Sequence, residues 1–331
     1  MKIIRYPEKK DWINLLKRPQ MDSHSLETTV RSVLEDVKKS GDRALRKYAL
    51  QFDSVTLDNL VVTENEFSEA EEACKAELKL AIQGAKNNIE KFHIAQKEAP
   101  KKIETTPGVI CWRESVAIEK VGLYIPGGTA PLFSTVLMLG IPAKIAGCKE
   151  IILCTPPDKK GKINPSILFT AKLIGITKVI KAGGAQAIGA MAYGTESVSK
   201  VYKIFGPGNQ YVTSAKQLVN KEGLAIDMPA GPSELLVLAD DTCVPSFVAA
   251  DLLSQAEHGA DSQVILVSAH EQVINEVLEE INKQLELLPR KNIILQALQH
   301  SKAILIKDTT IESGCGEFLA EKMSTLNFTY N

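Results

Sequence analysis

An α/β fold of two doubly wound sheets is predicted by three observations. Strand and helix patterns alternate from Gly122 onward, the alternation restarts at Glu234, and glycines gather where strands hand over to helices. Of 21 glycines, 15 fall between Gly122 and Gly231. In open α/β sheets ligands settle at such handovers. The runs G-G-A-Q-A-I-G-A from Gly183, F-G-P-G-N from Phe205, D-M-P-A-G-P-S-E from Asp227 and S-Q-A-E-H-G from Ser254 therefore read as a ligand-binding seam.

A helical segment precedes the sheet, from Leu26 to about Ala99. Val30, Val33, Leu34 and Val37 form its first apolar stripe and Gly41 ends it, and a second long helix is expected from near Glu66 to Gln96. The β-rich run from Val109 to Ile125 predicts a hairpin leading into the sheet. Strands follow at Gly122–Ile125, Glu150–Cys154, Lys178–Lys181 and Val201–Phe205, with helices starting near Pro131, Pro165, Ala185 and Gln210. The first two helices open on proline, whose missing N–H costs nothing there. From Glu234 come strand L-L-V-L-A, a helix from Pro245 to His258, strand Q-V-I-L-V-S, a helix from about Glu271 to Leu288, and strand A-I-L-I-K. Boundaries near Gly122 and Gly231 divide the chain into a domain of residues 122–231 and a discontinuous one of residues 1–121 and 232–331.

Lys plus Arg number 39 against 40 Asp plus Glu, a balance that gives no field to attract nucleic acid or an anionic membrane. The N-terminus lacks an apolar run of signal-peptide length, so a cytoplasmic protein is expected. Six cysteines with no C-x-x-C pair suit reduced, buried thiols. None has an adjacent histidine to activate it.

Asp251, Gln255 and His258 stand at i, i+4 and i+7 and share one helix face. An imidazole and an amide oxygen one turn apart can both reach a divalent cation, yet zinc sites use three or four protein ligands. A cationic histidine complementing the helix C-terminus explains the same residue without a metal. Gly183, Gly184 and Gln186 open a helix after a strand, a setting that suits a phosphate or a cofactor hydroxyl, and Gly206 to Asn209 repeat it one unit later. Neither spells G-x-G-x-x-G, and tight turns alone also account for these glycines. Ser233 has no nucleophile-elbow context, so hydrogen bonding to a ligand is its expected role.

Taken together, G-L-Y-I-P-G-G at Gly122, A-G-G-A-Q-A-I-G-A at Ala182, F-G-P-G-N, D-M-P-A-G-P-S-E and L-L-S-Q-A-E-H-G resemble histidinol dehydrogenase in order and spacing, over about residues 3–307. The resemblance implies NAD-dependent, zinc-dependent oxidation of L-histidinol to L-histidine through histidinal. It implies a homodimer, and a pair of incomplete Rossmann-like domains similar to those of aldehyde dehydrogenases. By motif it assigns Tyr124, Gln186 and Asn209 to NAD, Ser233, Gln255 and His258 to substrate, and Gln255 and His258 to zinc as well. After Asp308 the chain departs from the family pattern: the A-P-E-H-L segment that carries the glutamate and histidine acid/base pair is expected next and does not follow. No catalytic residue is therefore assigned, His300 does not match the family's histidine, and impaired turnover and weakened dimerisation are expected. The alternative reading is a non-catalytic NAD-binding or interaction protein derived from the same fold.

Overall fold

The computed structural model describes residues 1–17, 23–127, 131–228, 234–260 and 262–307. The chain divides into two compact units, Met1–Met21 with Gly231–Asn331, and Asp22–Ala230. The first unit opens with β1 (Lys2–Arg5) and the short helix α1 (Trp12–Leu16).

The second unit begins with α2 (Ser23–Ser40), α3 (Asp42–Asp53), α4 (Glu64–Ala73) and α5 (Ala76–Ala95). Gly41 breaks the first two apart at φ 54°, a left-handed angle open to glycine at low cost. The single helix expected from Glu66 to Gln96 is two helices, because Cys74 and Lys75 are extended. The break lets α4 pack on a helix other than the one that α5 meets. Thr63 caps α4 in a reciprocal box with Glu66. A hairpin of β2 (Ile103–Thr106) and β3 (Val109–Cys111) starts earlier than expected and turns at Gly108, φ 84°.

Then β4 (Lys120–Tyr124), α6 (Phe133–Ala146), β5 (Glu150–Thr155), α7 (Pro165–Leu173), β6 (Lys178–Lys181), α8 (Gly184–Tyr193), β7 (Lys203–Phe205), α9 (Gln210–Lys221) and β8 (Ala225–Ile226) alternate. Five parallel strands take the order β6-β5-β4-β7-β8, one more than the sequence suggested. Chain direction across the sheet reverses at β4, so the crevice between the carboxyl ends of β4 and β7 is the topological switch point. Side chains alternate along each strand: Tyr124, Ile152 and Ile180 enter a core under α2, α3, α8 and α9, whereas Leu123, Leu153 and Val179 enter one under α4 to α7.

This arrangement corrects the placement of the helical N-terminal part. Residues of α2 to α5 were expected beside residues 232–331, but they cover the five-stranded sheet instead. The stripe Val30, Val33, Leu34 and Val37 is buried against α8 and α9, because a parallel sheet needs both faces covered.

The first unit resumes with β9 (Glu234–Leu238), α10 (Pro245–Ala256), β10 (Gln263–Ser268), α11 (Glu271–Leu285), α12 (Lys291–His300) and β11 (Lys302–Leu305). Its four parallel strands run β1-β11-β10-β9. Helices α10 to α12 pack one face around Val264, Leu266 and Leu305, and Leu16 of α1 packs the other face around Ile265, Val267 and Ile304. Among the described residues no helix is long and apolar enough to cross a membrane.

Candidate functional site

Three turns at the carboxyl ends of β4, β6 and β7 supply the groups of the site in the second unit. Tyr124 ends β4 and is buried, 3% exposed, and its hydroxyl accepts a hydrogen bond from the Gly184 N–H at 3.0 Å. Burial pushes its pKa up to about 12, with the Gly184 N–H opposing, so the phenol stays neutral and keeps a proton to donate. One N–H expected to await a ligand at the start of α8 is thus taken up by Tyr124.

Gln186 sits in the first turn of α8, 3% exposed, and its Oε1 is buried with no hydrogen-bond partner among the described residues. A buried carboxamide oxygen left unpaired costs about 1–3 kcal/mol, a penalty that a donor on a ligand would remove. Asn209 caps α9, its Oδ1 accepting from the N–H groups of Tyr211 and Val212, both at 3.1 Å. All three residues line one cavity of about 1060 Å³, floored by the turns at Gly127, Pro156 and Gly183.

The turn before Asn209 is held by groups that no local sequence pattern links. The Gly206 N–H donates to Asp227 Oδ2 at 2.7 Å, and Lys216 Nζ donates to the Gly206 carbonyl at 2.8 Å and to Asp227 Oδ1. Gly206, φ 133°, passes so near the Tyr124 carbonyl that any Cβ there would collide with it. Glu66 also lines the cavity, and its Oε1 accepts a hydrogen bond from Lys181 Nζ at 2.7 Å. Burial raises the Glu66 carboxyl, but the Lys181 and Thr63 hydrogen bonds outweigh it and hold the pKa below its ordinary value.

Asp53, the last residue of α3, also lines the cavity, and its Oδ2 is buried without a hydrogen-bond partner among the described residues. Burial pushes its pKa up to about 6. Neither Asp53 nor the Lys216–Asp227 clamp was assigned from sequence. A carboxylate at a helix end looks like any surface acid, and only the chain path shows what it faces.

In the other unit, α10 ends at Ala256, two residues before the expected His258. The chain tightens there: the His258 N–H bonds the Gln255 carbonyl at 3.2 Å, as 3₁₀ turns do at helix ends. Gln255 is half-buried, and Asp251 and His258 are exposed. Among the described residues no three His, Cys, Asp or Glu are grouped to hold a metal. The residues described supply fewer ligands than a zinc site needs. Ser233, Cys315 and the departure after Asp308 lie outside the described residues.

Among the described residues, thiol chemistry finds no support. Burial pushes Cys154 up to about 12 and raises Cys148 and Cys243 as well, the opposite of activation. Cys74 and Cys154 are buried as expected, but Cys111 lies exposed on β3.

Residues 16–318 match the family model described as histidinol dehydrogenase, a match that runs past Asp308. A histidinol dehydrogenase of Bacteroides thetaiotaomicron is 61% identical over 308 residues, 93% of this chain and 72% of the relative. One from Escherichia coli O6:H1 is 52% identical over 297 residues, 89% of this chain and 68% of the relative. The crystal structure of histidinol dehydrogenase from Elizabethkingia anophelis superposes with a TM-score of 0.90 at 55% identity, covering 96% of this chain and 73% of that one. On the extent of these matches, the chain belongs to the histidinol dehydrogenase family of oxidoreductases.

Proposed function

We propose that this chain serves the NAD-dependent oxidation of L-histidinol to L-histidine by way of histidinal, with the dinucleotide in the cavity of the second unit. The observation that carries the reading is the Gln186 carboxamide, buried at the start of α8 with an acceptor oxygen that lacks a partner among the described residues, on the wall of a cavity at the switch point of a Rossmann-ordered sheet. When bound, NAD supplies the hydride acceptor. Tyr124 donates its phenolic proton to the ligand, Gln186 accepts a hydrogen bond, and Asn209, whose oxygen is committed to the α9 cap, offers its amide N–H groups. Gly127, Pro156 and Gly183 line the same cavity.

Substrate contacts fall to Ser233, Gln255 and His258, with Gln255 and His258 as the two side chains that would hold zinc in a cytoplasmic homodimer. The described residues complete no metal shell, so no chemical step is assigned to zinc. Calorimetric titration of the chain with NAD tests the dinucleotide reading: binding at millimolar concentration or below is expected. Failure to bind NAD at millimolar concentration would refute the assignment of the cavity.

A further inference from the structure

Resting on the dinucleotide reading, we propose that Asp53 is a specificity-determining residue of the cavity: its unpartnered carboxyl oxygen accepts a hydrogen bond from a ribose hydroxyl and rejects a dinucleotide phosphorylated there. In sheets of this order, the carboxylate that reads the ribose ordinarily stands at the end of the second strand. Here the second strand is β5, and it ends on Thr155, which is neutral and 1% exposed. The first acid beyond it, Asp158, uses its Oδ1 to hold its own turn, accepting from the N–H groups of Lys160 and Lys162 at 2.8 and 2.9 Å. The acceptor comes instead from outside the strand-helix alternation. Helix α3 ends at Asp53, and Ser54 follows in the left-handed conformation, φ 57°, closing the helix with its N–H on the Ala49 carbonyl.

That carboxyl is not there for stability. Its Oδ2 is buried and makes no hydrogen bond to a described residue, and desolvation raises its pKa to about 6. Its charge reaches Tyr124, where it helps to hold the phenol neutral, which places it within electrostatic reach of a residue of the same cavity. Among the described residues, the cavity therefore presents two buried side-chain acceptors without donors, Asp53 Oδ2 and Gln186 Oε1. A ribose carries hydroxyl donors that satisfy such an acceptor, and a 2′-phosphate would replace one donor with negative charge against a carboxylate.

Calorimetric titration of the full chain with NAD and with NADP, in the parent and in Asp53→Asn, tests the role, with melting temperature recorded for each protein without ligand. The substitution keeps the shape of the side chain and removes the charge. The expected result is NAD binding about 10-fold weaker in the variant, a preference for NAD over NADP reduced by about 10-fold, and an unliganded melting temperature equal to or above the parent's. A side chain with a purely structural role would lower the melting temperature and leave the NAD to NADP ratio alone, and that result overturns the proposal. Parent-like NAD affinity and preference in a folded Asp53→Asn overturns it too, while leaving the dinucleotide reading intact. A parent chain that binds no NAD overturns that reading and this proposal together. If Asp53→Asn does not fold, the same ratio is read in Asp53→Ser.

Discussion

Asp53 shows how one side chain can cost the free protein and still be kept. Its carboxyl titrates near pH 6 in the folded chain against an ordinary value of 3.8, so the native state holds that proton more tightly than the unfolded state does. The sign follows by linkage: this group's contribution to stability is greatest below about pH 4 and is lost as pH rises through about 6. Asp53→Asn removes the titration, so the variant should be the more stable protein at about pH 7.5, by about 1–2 kcal/mol once solvent screening of a partly exposed group is allowed for. Urea unfolding of both proteins at several pH values between about 5 and 7.5 checks it: the variant's advantage should shrink toward the acid end. An advantage that does not change with pH, or a less stable variant at the alkaline end, would show that the carboxyl carries no such penalty. At this scale the sequence was informative where chemistry travels with a motif. Tyr124, Gln186 and Asn209, expected from the motifs of the resemblance, each sit in a glycine-rich run and line a common cavity. Asp53 sits in D-R-A-L-R-K-Y-A-L-Q-F-D, whose pattern shows only an amphipathic helix.

The turn from Gly206 to Asn209 is the element on which two of the three strand-end contacts depend, since Gly206 crosses the Tyr124 backbone and Asn209 begins α9. Both peptide groups of Gly206 are fixed by the Lys216–Asp227 pair, whose side chains are 6% and 28% exposed. Breaking a largely buried pair by removing one partner leaves a charge uncompensated, so Lys216→Met should cost about 2–3 kcal/mol and weaken NAD binding. Restoring the charge with Lys216→Arg should recover stability in part but not the affinity, because a planar fork cannot donate to the Gly206 carbonyl and Asp227 as an ammonium does. Equal NAD affinity in parent and Lys216→Met, measured on folded protein, would remove the clamp from the ligand site. The elements themselves were largely legible. Strands β5, β6 and β10 and helices α7 and α9 begin where hydrophobic pattern and proline or cap residues place them. The split of α4 from α5 was not, because Cys74 and Lys75 are poor breakers, and the reason for the extension lies in two helices meeting different neighbours. The end of α10 at Ala256 was misplaced because Gly259 is the visible stop, whereas the chain had already tightened into a 3₁₀ turn at His258.

At the scale of the whole chain, two sheets with separate cores form two units, and the division was only partly readable. The restart of the alternation at Glu234 signals a second sheet, and β9 begins there. Nothing in the local pattern says which sheet α2 to α5 will cover, since an apolar stripe specifies burial and not the surface that buries it. Their packing on the five-stranded sheet shapes the cavity, because α3 and α4 bring Asp53 and Glu66 to its wall. That wall is built from residues far apart in sequence, yet all lie within Asp22–Ala230. Binding of NAD there should therefore slow amide hydrogen exchange at three separated places: around Tyr124 to Gly127, around Gly183 to Gln186, and from Gly206 to Val212. Saturation at about 100 times Kd stabilises the native state by about 2.7 kcal/mol, and amides that exchange only by opening the ligand-bound unit slow by about 100-fold, so the effect is well within measurement. The end of α3 should be protected with them, because a ligand bonded to Asp53 holds that helix terminus in place. Protection confined to residues 234–307, with the three strand-end turns exchanging as in the free protein, would move the dinucleotide out of the second unit altogether.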